Sequence, residues 1–75
     1  MTMQITYDAS ADAAYILFQA NLERGEVVRT EPCDVDIKEG AVILEFDGKG
    51  RLAGIEILGA SRILPAETLD EAMRF

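Results

Sequence analysis

The chain has 75 residues with a net charge of −7, from fourteen Asp and Glu against seven Lys and Arg, and it contains no His and a single cysteine, Cys33. That length fits one small domain, residues 1–75, and the lone Cys excludes both an internal disulfide and a structural zinc site. Nucleic-acid binding needs clustered cations, which are scattered here, so we expect no nucleic-acid partner. No stretch resembles a membrane span or a signal peptide, so we expect a cytoplasmic protein that does not contact a membrane.

The first predicted element is a half-buried strand, in which Met3, Ile5 and Tyr7 alternate with polar residues. Asp8 and Asp12 bracket the turn formers that follow it. Carboxylates in such turns commonly accept hydrogen bonds from nearby backbone N–H groups, so we predict a structural role for both.

Residues 13–22 allow two interpretations. Ser10 could cap a helix that ends before Gly25, and helix propensity alone favours this. Equally, apolar residues alternate through the segment as they would in a second strand. The residues themselves leave the choice open.

Strand signals return after Gly25. Val27 and Val28 open a strand that Pro32 must end or kink, since Pro cannot donate to a ladder. Residues 34–38 alternate cleanly, with Val35 and Ile37 predicted to point inward. Glu39 and Gly40 form a short turn into the next strand.

Residues 41–60 predict a β-hairpin, because two apolar runs flank an Asp-Gly-Lys-Gly tip. We place Gly50 at the left-handed position of a three-residue turn with a G1 bulge. The resulting register is predicted to set three pairs of residues opposite each other: Asp47 and Arg51, Phe46 and Leu52, and Ile43 and Ile55.

Both faces of this hairpin are predicted to be apolar. One face carries Val42, Leu44, Phe46, Leu52 and Leu58, and the other carries Ala41, Ile43, Ala53, Ile55 and Ile57. A sheet that is apolar on two sides must be covered on both. A chain this short has too few residues to cover both faces by itself. We therefore expect self-association as a homodimer.

The C-terminal part begins with a break at Pro65. Residues 68–75 place Leu69, Ala72 and Met73 at helical spacing. This predicts a helix of at most two turns, which is marginal unless it docks on the sheet.

Few residues suggest chemistry, and we predict no catalytic residue, no cofactor and no bound metal. Glu45 and Glu56 lie on opposite faces in the predicted register, and Arg51, Arg62 or a partner's cation would neutralise them. Catalysis by either carboxylate would require its burial in a cleft. Asp34 and Asp36 share a strand face and support an alternative in which the chain binds a small ligand or a divalent cation.

Three segments carry a family resemblance: ITYD (residues 5–8), ADAAYI (11–16) and DGKGRLAGIEILGAS (47–61). Together they resemble the small bacterial domains catalogued as domain of unknown function 2283, from Met3 to about Leu64. The chain departs from that pattern at Ala9, at Pro32 and Cys33, and in the tail beyond Pro65. The resemblance implies an antiparallel meander whose first hairpin pairs the Tyr7 and Tyr15 segments, which favours a strand over a helix at residues 13–18.

No activity or catalytic residue is established for that family, and some relatives are suspected antitoxins encoded beside small toxins. We therefore expect a mainly β fold: a single-layer antiparallel β-meander of about five strands with a short C-terminal helix. The expected function is a non-catalytic cytosolic interaction domain that self-associates and that can neutralise a basic protein partner. The alternative is the small-ligand or divalent-metal-binding module at Asp34 and Asp36.

Overall fold

The computed structural model describes residues 3–18, 27–34 and 39–74. Within these ranges, six strands and two short helices follow one another. They are β1 (Gln4–Asp8), β2 (Ala13–Leu17), β3 (Val27–Pro32), β4 (Ala41–Asp47), β5 (Leu52–Leu58), α1 (Ala60–Ile63), α2 (Ala66–Glu71) and β6 (Met73–Arg74). The fold is mainly β, as predicted.

All six strands form one open sheet in the order β3-β4-β5-β2-β1-β6. β1 and β2 form a hairpin, β3, β4 and β5 form a meander, and the antiparallel pairing of β2 with β5 joins the two units. The first five strands are therefore antiparallel throughout, whereas β6 pairs in parallel with the free edge of β1. This confirms the predicted single-layer antiparallel sheet.

Residues 13–17 form strand β2, so the helical interpretation of this segment was wrong and the strand is confirmed. Ser10 does not cap a helix, because its backbone N–H and its hydroxyl both donate to Oδ1 of Asp8, at 3.1 and 2.8 Å. Strand pairing overrides helix propensity here, because each residue of β2 pairs with β1 on one side and with β5 on the other. Leu22 and Gly25, also used in that prediction, lie outside the described residues.

The tip of the β4–β5 hairpin has the predicted turn. Gly50 adopts φ +78°, its N–H donates to the carbonyl of Asp47 at 3.0 Å, and the N–H of Asp47 donates to the carbonyl of Arg51 at 2.9 Å. Phe46 faces Leu52 as expected. The left-handed position, which only Gly adopts without strain, is thus confirmed.

Beyond the tip the predicted register was wrong, because a second bulge interrupts the hairpin. Glu45 faces Gly54 and Phe46 faces Leu52, which leaves Ala53 as the extra residue. Ile43 consequently faces Glu56, not Ile55, and Ile55 faces Leu44 instead.

This shift also corrects the predicted faces, since a slip of one residue moves a whole strand segment to the other side. Val42 and Leu44 share a face with Ile57 and Ile55. Ala41, Ile43 and Glu45 share the opposite face with their own partners on β5, namely Leu58, Glu56 and Gly54.

The two helices pack on one face of the sheet. Tyr7, Ala14 and Ile57 of the sheet form a buried cluster with Ala60, Leu69 and Ala72 of the helical segment, and several aliphatic side chains lie against it: Ile5, Ile16, Ile55, Ile63 and Leu64. The core of the domain therefore lies between this face and the helices.

The C-terminal helix differs from the one predicted at residues 68–75. α2 begins directly after Pro65 and ends at Glu71, where Ala72 turns to an extended backbone with ψ 149°. Met73 belongs to β6, whose pairing with β1 gives its backbone groups partners that a frayed helix end would lack. α1 is a further single turn that the sequence had not indicated.

Asp12 connects the β1–β2 turn to the start of α1. Its Oδ1 accepts hydrogen bonds from the hydroxyl of Tyr7 at 2.7 Å and from the N–H of Ser61 at 2.9 Å, and its Oδ2 accepts from the hydroxyl of Ser61 at 2.8 Å. Gly59, which precedes α1, provides no side-chain cap. The side chain of Asp12, which is distant in sequence, therefore caps the N-terminus of α1.

Strand β3 forms one edge of the sheet and ends at Pro32, as predicted. The next N–H, that of Cys33, still donates to the carbonyl of Val42 at 2.8 Å. Residues 35–38, predicted as a strand with Val35 and Ile37 inward, lie outside the described residues.

Candidate functional site: an acidic patch on the open face

One face of the sheet carries no helix among the described residues, and we call it the open face. Strand pairing places on it side chains from β1, β2, β5 and β4, namely Gln4, Thr6, Asp8, Ala13, Tyr15, Leu17, Glu56, Leu58, Ala41, Ile43 and Glu45. Five of these eleven are aliphatic, and Leu58 keeps 37% of its surface exposed. Asp8 lies at the end of β1, where it accepts from Ser10, and the two carboxylates on the central strands are Glu45 and Glu56.

The bulge at Ala53 brings these carboxylates together. Tyr15, Glu56 and Ile43 form one row across β2, β5 and β4, and Glu45 faces Gly54 in the next row. Glu45 and Glu56 are thus diagonal neighbours on one face, contrary to the prediction that they lie on opposite faces. Diagonal cross-strand neighbours lie within reach of long side chains.

Tyr15 binds the first of the two carboxylates. Its hydroxyl donates to Oε2 of Glu56 at 2.7 Å. Burial, the hydrogen bond to Glu56 and the charges of Glu56 and Glu45 together raise the pKa of Tyr15 to about 12, and burial contributes most. Tyr15 therefore stays a hydrogen-bond donor at every physiological pH.

Glu45 differs from Glu56 because it has no such donor. Only 9% of its surface is exposed, and its side chain makes no hydrogen bond or ion pair with any residue that the structure describes. Desolvation by burial raises the pKa of Glu45, and the negative charge of Glu56 raises it further. The patch thus contains a carboxylate whose charged form is disfavoured.

Gly54 lies opposite Glu45 and is closely approached by the backbone of β2. A Cβ at this position would come within 3.7 Å of Oε1 of Glu45 and within 2.9 Å of the backbone oxygen of Ile16. The missing side chain lets β5 approach β2 closely, as glycine in a strand interior often does. The acidic patch and the bulge are therefore parts of one local arrangement.

The cations expected to neutralise these carboxylates lie elsewhere, so that prediction was wrong for the described residues. Nε of Arg51 lies 3.0 Å from Oδ2 of Asp47, and Nε of Arg62 lies 3.3 Å from Oε2 of Glu39. Arg51 is held at the hairpin tip, where Oδ1 of Asp47 also accepts its backbone N–H at 2.9 Å. A partner's cation remains the untested part of that prediction.

The other predicted acidic residues have separate positions. Asp8 accepts from the N–H of Ser10 as expected, and Asp12 accepts from the more distant Ser61. Asp34 is exposed, and Asp36 lies outside the described residues. Across residues 3–18, 27–34 and 39–74, no three metal-ligating side chains gather at one place, and a divalent-cation site at Asp34 and Asp36 stays a prediction.

The geometry agrees with a family assignment. The family model described as "Protein of unknown function (DUF2283)" matches residues 4–61, which include β1 to β5 and the acidic patch. The chain belongs to this family. Comparisons with curated proteins and with solved structures gave no match. Neither helix of this DUF2283 domain, in the ranges that the structure describes, is long and apolar enough to cross a membrane.

In this DUF2283 member the paired carboxylates could not be found from the alternating pattern alone. The signal that could have indicated them is Gly54, because a glycine inside a strand often marks a bulge. A bulge there reverses the assignment of faces and brings Glu45 next to Glu56. Chemically, the patch can accept hydrogen bonds, exchange a proton and receive a cation.

Proposed function

We propose that this chain is a non-catalytic, cytosolic interaction domain that forms a homodimer through its open face. The observation that carries the proposal is the small size of the buried side chains. Among the described residues, the buried apolar set is Tyr7, Ile57 and Leu69 with five alanines, Ala13, Ala14, Ala53, Ala60 and Ala72, and no large side chain is fully buried. Such a core removes little apolar surface from water.

Larger apolar side chains remain partly exposed on the open face, where a second copy would cover them. Leu17, Ile43 and Tyr15 are half-buried, and Leu58 is exposed. A neighbour seated on this face would remove them from water, which is the main favourable contribution to most protein association. A second copy is the partner available wherever the chain is made.

The dimensions of the molecule support a dimer of ordinary size. The principal extents are 32 × 27 × 19 Å, and six strands spaced about 4.8 Å apart cover most of the width. The two larger extents set an upper limit on such a face, and this limit leaves room for the roughly 800 Å² that each partner contributes to a stable interface.

Light scattering after size-exclusion chromatography tests the proposal, with Leu58→Lys as the disrupting variant. The matched control is Leu52→Lys at the other end of β5, since Leu52 is 39% exposed, similar to Leu58, but pairs with Phe46 beyond the bulge. We expect a dimer for the unmodified chain and for the control, and a monomer for Leu58→Lys. These measurements are made at pH 5.5 and repeated at pH 7.5, and a strict monomer at micromolar concentration for the unmodified chain at both would refute self-association.

A basic protein is a second candidate partner, and the surplus of acidic residues favours it. A net charge of −7 accelerates the encounter with a positively charged surface. Co-purification with the product of the neighbouring gene tests this candidate. A complex that forms at low salt and weakens as salt is added would support it, and the absence of a complex at low salt would count against it.

A further inference from the structure

We propose that a second copy of this chain packs on the open face when Glu45 carries a proton, so that the homodimer strengthens as the pH falls. The inference rests on the proposed function and adds its regulation. Glu45 lies among the residues that the dimer would cover, and it is already nine-tenths buried in the single chain. Covering it further removes the water that remains in contact with its carboxylate.

The groups that face Glu45 on neighbouring strands offer it no positive charge. On β5 they are Gly54 directly opposite and Glu56 on the diagonal, and on β3 the residue opposite is Thr30. One strand further, Tyr15 of β2 donates its proton to Glu56. The ionised form of Glu45 is therefore uncompensated on every strand that adjoins it.

The remaining charged groups nearby are engaged with one another. Arg29 and Glu31 flank Thr30 on β3, so alternation directs them to the other face, where their side chains pair at 3.5 Å. The guanidinium of Arg29 also lies 4.4 Å from the ring centre of Phe46. On β4 itself, Asp47 is paired with Arg51. No described cation faces Glu45 from these elements.

A two-fold dimer would bring the same patch of both copies together, because such interfaces are formed by one surface meeting itself. Glu45 and Glu56 of each copy would then share a space from which water is excluded. Burying uncompensated carboxylates is costly, and each copy also carries a charge of −7. A proton on Glu45 removes one charge per copy and creates an O–H donor beside the Glu56 carboxylate.

Proton uptake on dimerisation has a measurable consequence. If each copy binds one proton on pairing, the dissociation constant rises by up to about 100-fold for each pH unit above the pKa of Glu45. The interval from pH 5.5 to 7.5 suits this measurement, and the α-amino group, which begins to titrate there, is common to all the proteins compared. The chain contains no His, and ordinary Asp and Glu are already ionised there.

Sedimentation equilibrium across pH 5.5–7.5 tests the proposal on three proteins: the unmodified chain, Glu45→Gln and Glu71→Gln. Glu71 is an exposed carboxylate on α2, and its replacement changes the net charge by the same amount. We expect the dissociation constant of the unmodified chain and of Glu71→Gln to rise at least tenfold over this interval. Glu45→Gln is expected to dimerise tightly and independently of pH.

Each other outcome contradicts a specific statement. A dimer whose affinity does not change with pH in the unmodified chain overturns the proton mechanism and leaves the homodimer in place. A weaker dimer for Glu45→Gln also overturns it, because that result would mean that ionised Glu45 binds a cation across the interface. The absence of a dimer for every protein at every pH refutes the homodimer itself, so the two failures are distinguishable.

Discussion

The two faces of the sheet shift the pKa of a carboxylate in opposite directions. On the face covered by the helices, Asp12 receives three hydrogen bonds from Tyr7 and Ser61, and these lower its pKa, with the Tyr7 hydroxyl contributing most. On the open face Glu45 receives none from the residues that the structure describes, and burial raises its pKa. A carboxylate that is supplied with donors links elements of the fold together, whereas one without donors is suited to respond to a proton or a partner.

The faces also differ in the extent of their covering. Ile57 points towards the helices and is 4% exposed, whereas its neighbour Leu58 points the other way and is 37% exposed. The contrast does not extend to every residue of the two faces, since Thr6, Ala13 and Glu45 on the open face are buried. In the proposed dimer, Ile57 serves folding and Leu58 serves association, which separates the two roles along β5.

The strongest test of this separation is to place Asp at each of these two positions. Ile57→Asp buries an unpaired charge among the core residues and is expected to cost about 4 kcal/mol or more, which is enough to unfold so small a domain. Leu58→Asp is expected to change the stability of the single chain by less than about 1 kcal/mol while abolishing the dimer. Urea unfolding of both variants at low protein concentration measures the difference, and equal losses would contradict the assignment of the two faces.

Gly54→Ala should have the next largest effect, because it acts on the close approach between β5 and β2. Its new Cβ would meet the backbone oxygen of Ile16 at 2.9 Å, and backbone cannot rotate away. We expect a loss of about 1–3 kcal/mol in the free energy of unfolding. Gly48→Ala is the control, since a Cβ there meets nothing within 4 Å. An unchanged unfolding midpoint for Gly54→Ala would argue against the observed pairing.

Asp12→Asn tests the hydrogen-bonded carboxylate of the helix-covered face. The hydrogen bonds of the folded state lower the pKa of Asp12 below the ordinary Asp value of 3.8, so its stabilisation is complete above that value and is lost as the pH falls through the folded-state pKa. We expect the variant to melt at a lower temperature than the unmodified chain at pH 7. The two melting curves should converge at strongly acidic pH, and a gap that persists there would show that the charge of Asp12 is not responsible.

Gly50→Ala should have the smallest effect, at the hairpin tip and away from both the helices and the patch. Its Cβ would have open space, but φ +78° is a left-handed backbone that costs an L-residue about 1 kcal/mol. We expect a correspondingly small decrease in the free energy of unfolding and no change in dimer affinity. A decrease as large as that of Gly54→Ala would indicate that the tip takes part in packing.

Local rules were enough to predict part of this molecule. The tip at Gly50 and the end of β3 at Pro32 follow from the backbone geometry of single residues, and both were predicted correctly. The β1–β2 hairpin required the family resemblance, because helix propensity favoured the other answer. The reason is that the pairing of β2 with both β1 and β5 is non-local and leaves no mark on the segment itself.

The acidic patch could not be predicted because one inserted residue decides it. Alternation counted from the tip places Glu45 and Glu56 on opposite faces, and the bulge at Ala53 reverses that assignment. The interaction of Asp12 with Ser61 was missed for a similar reason, since 49 positions separate them in the chain. The contact between a turn and a helix leaves no mark on either segment, whereas Gly54 marks the bulge without fixing which residue is inserted.

The two edges of the sheet determine the direction in which this protein can grow. One edge strand, β3, ends at Pro32 and carries the ion pair of Arg29 and Glu31. The other edge strand, β6, is parallel to β1 and has only two residues. Neither offers the long, regular row of free amides and carbonyls on which fibrils elongate. Polymerisation through the sheet edges is therefore discouraged, and the proposed association of two faces would give a closed pair and not a fibril.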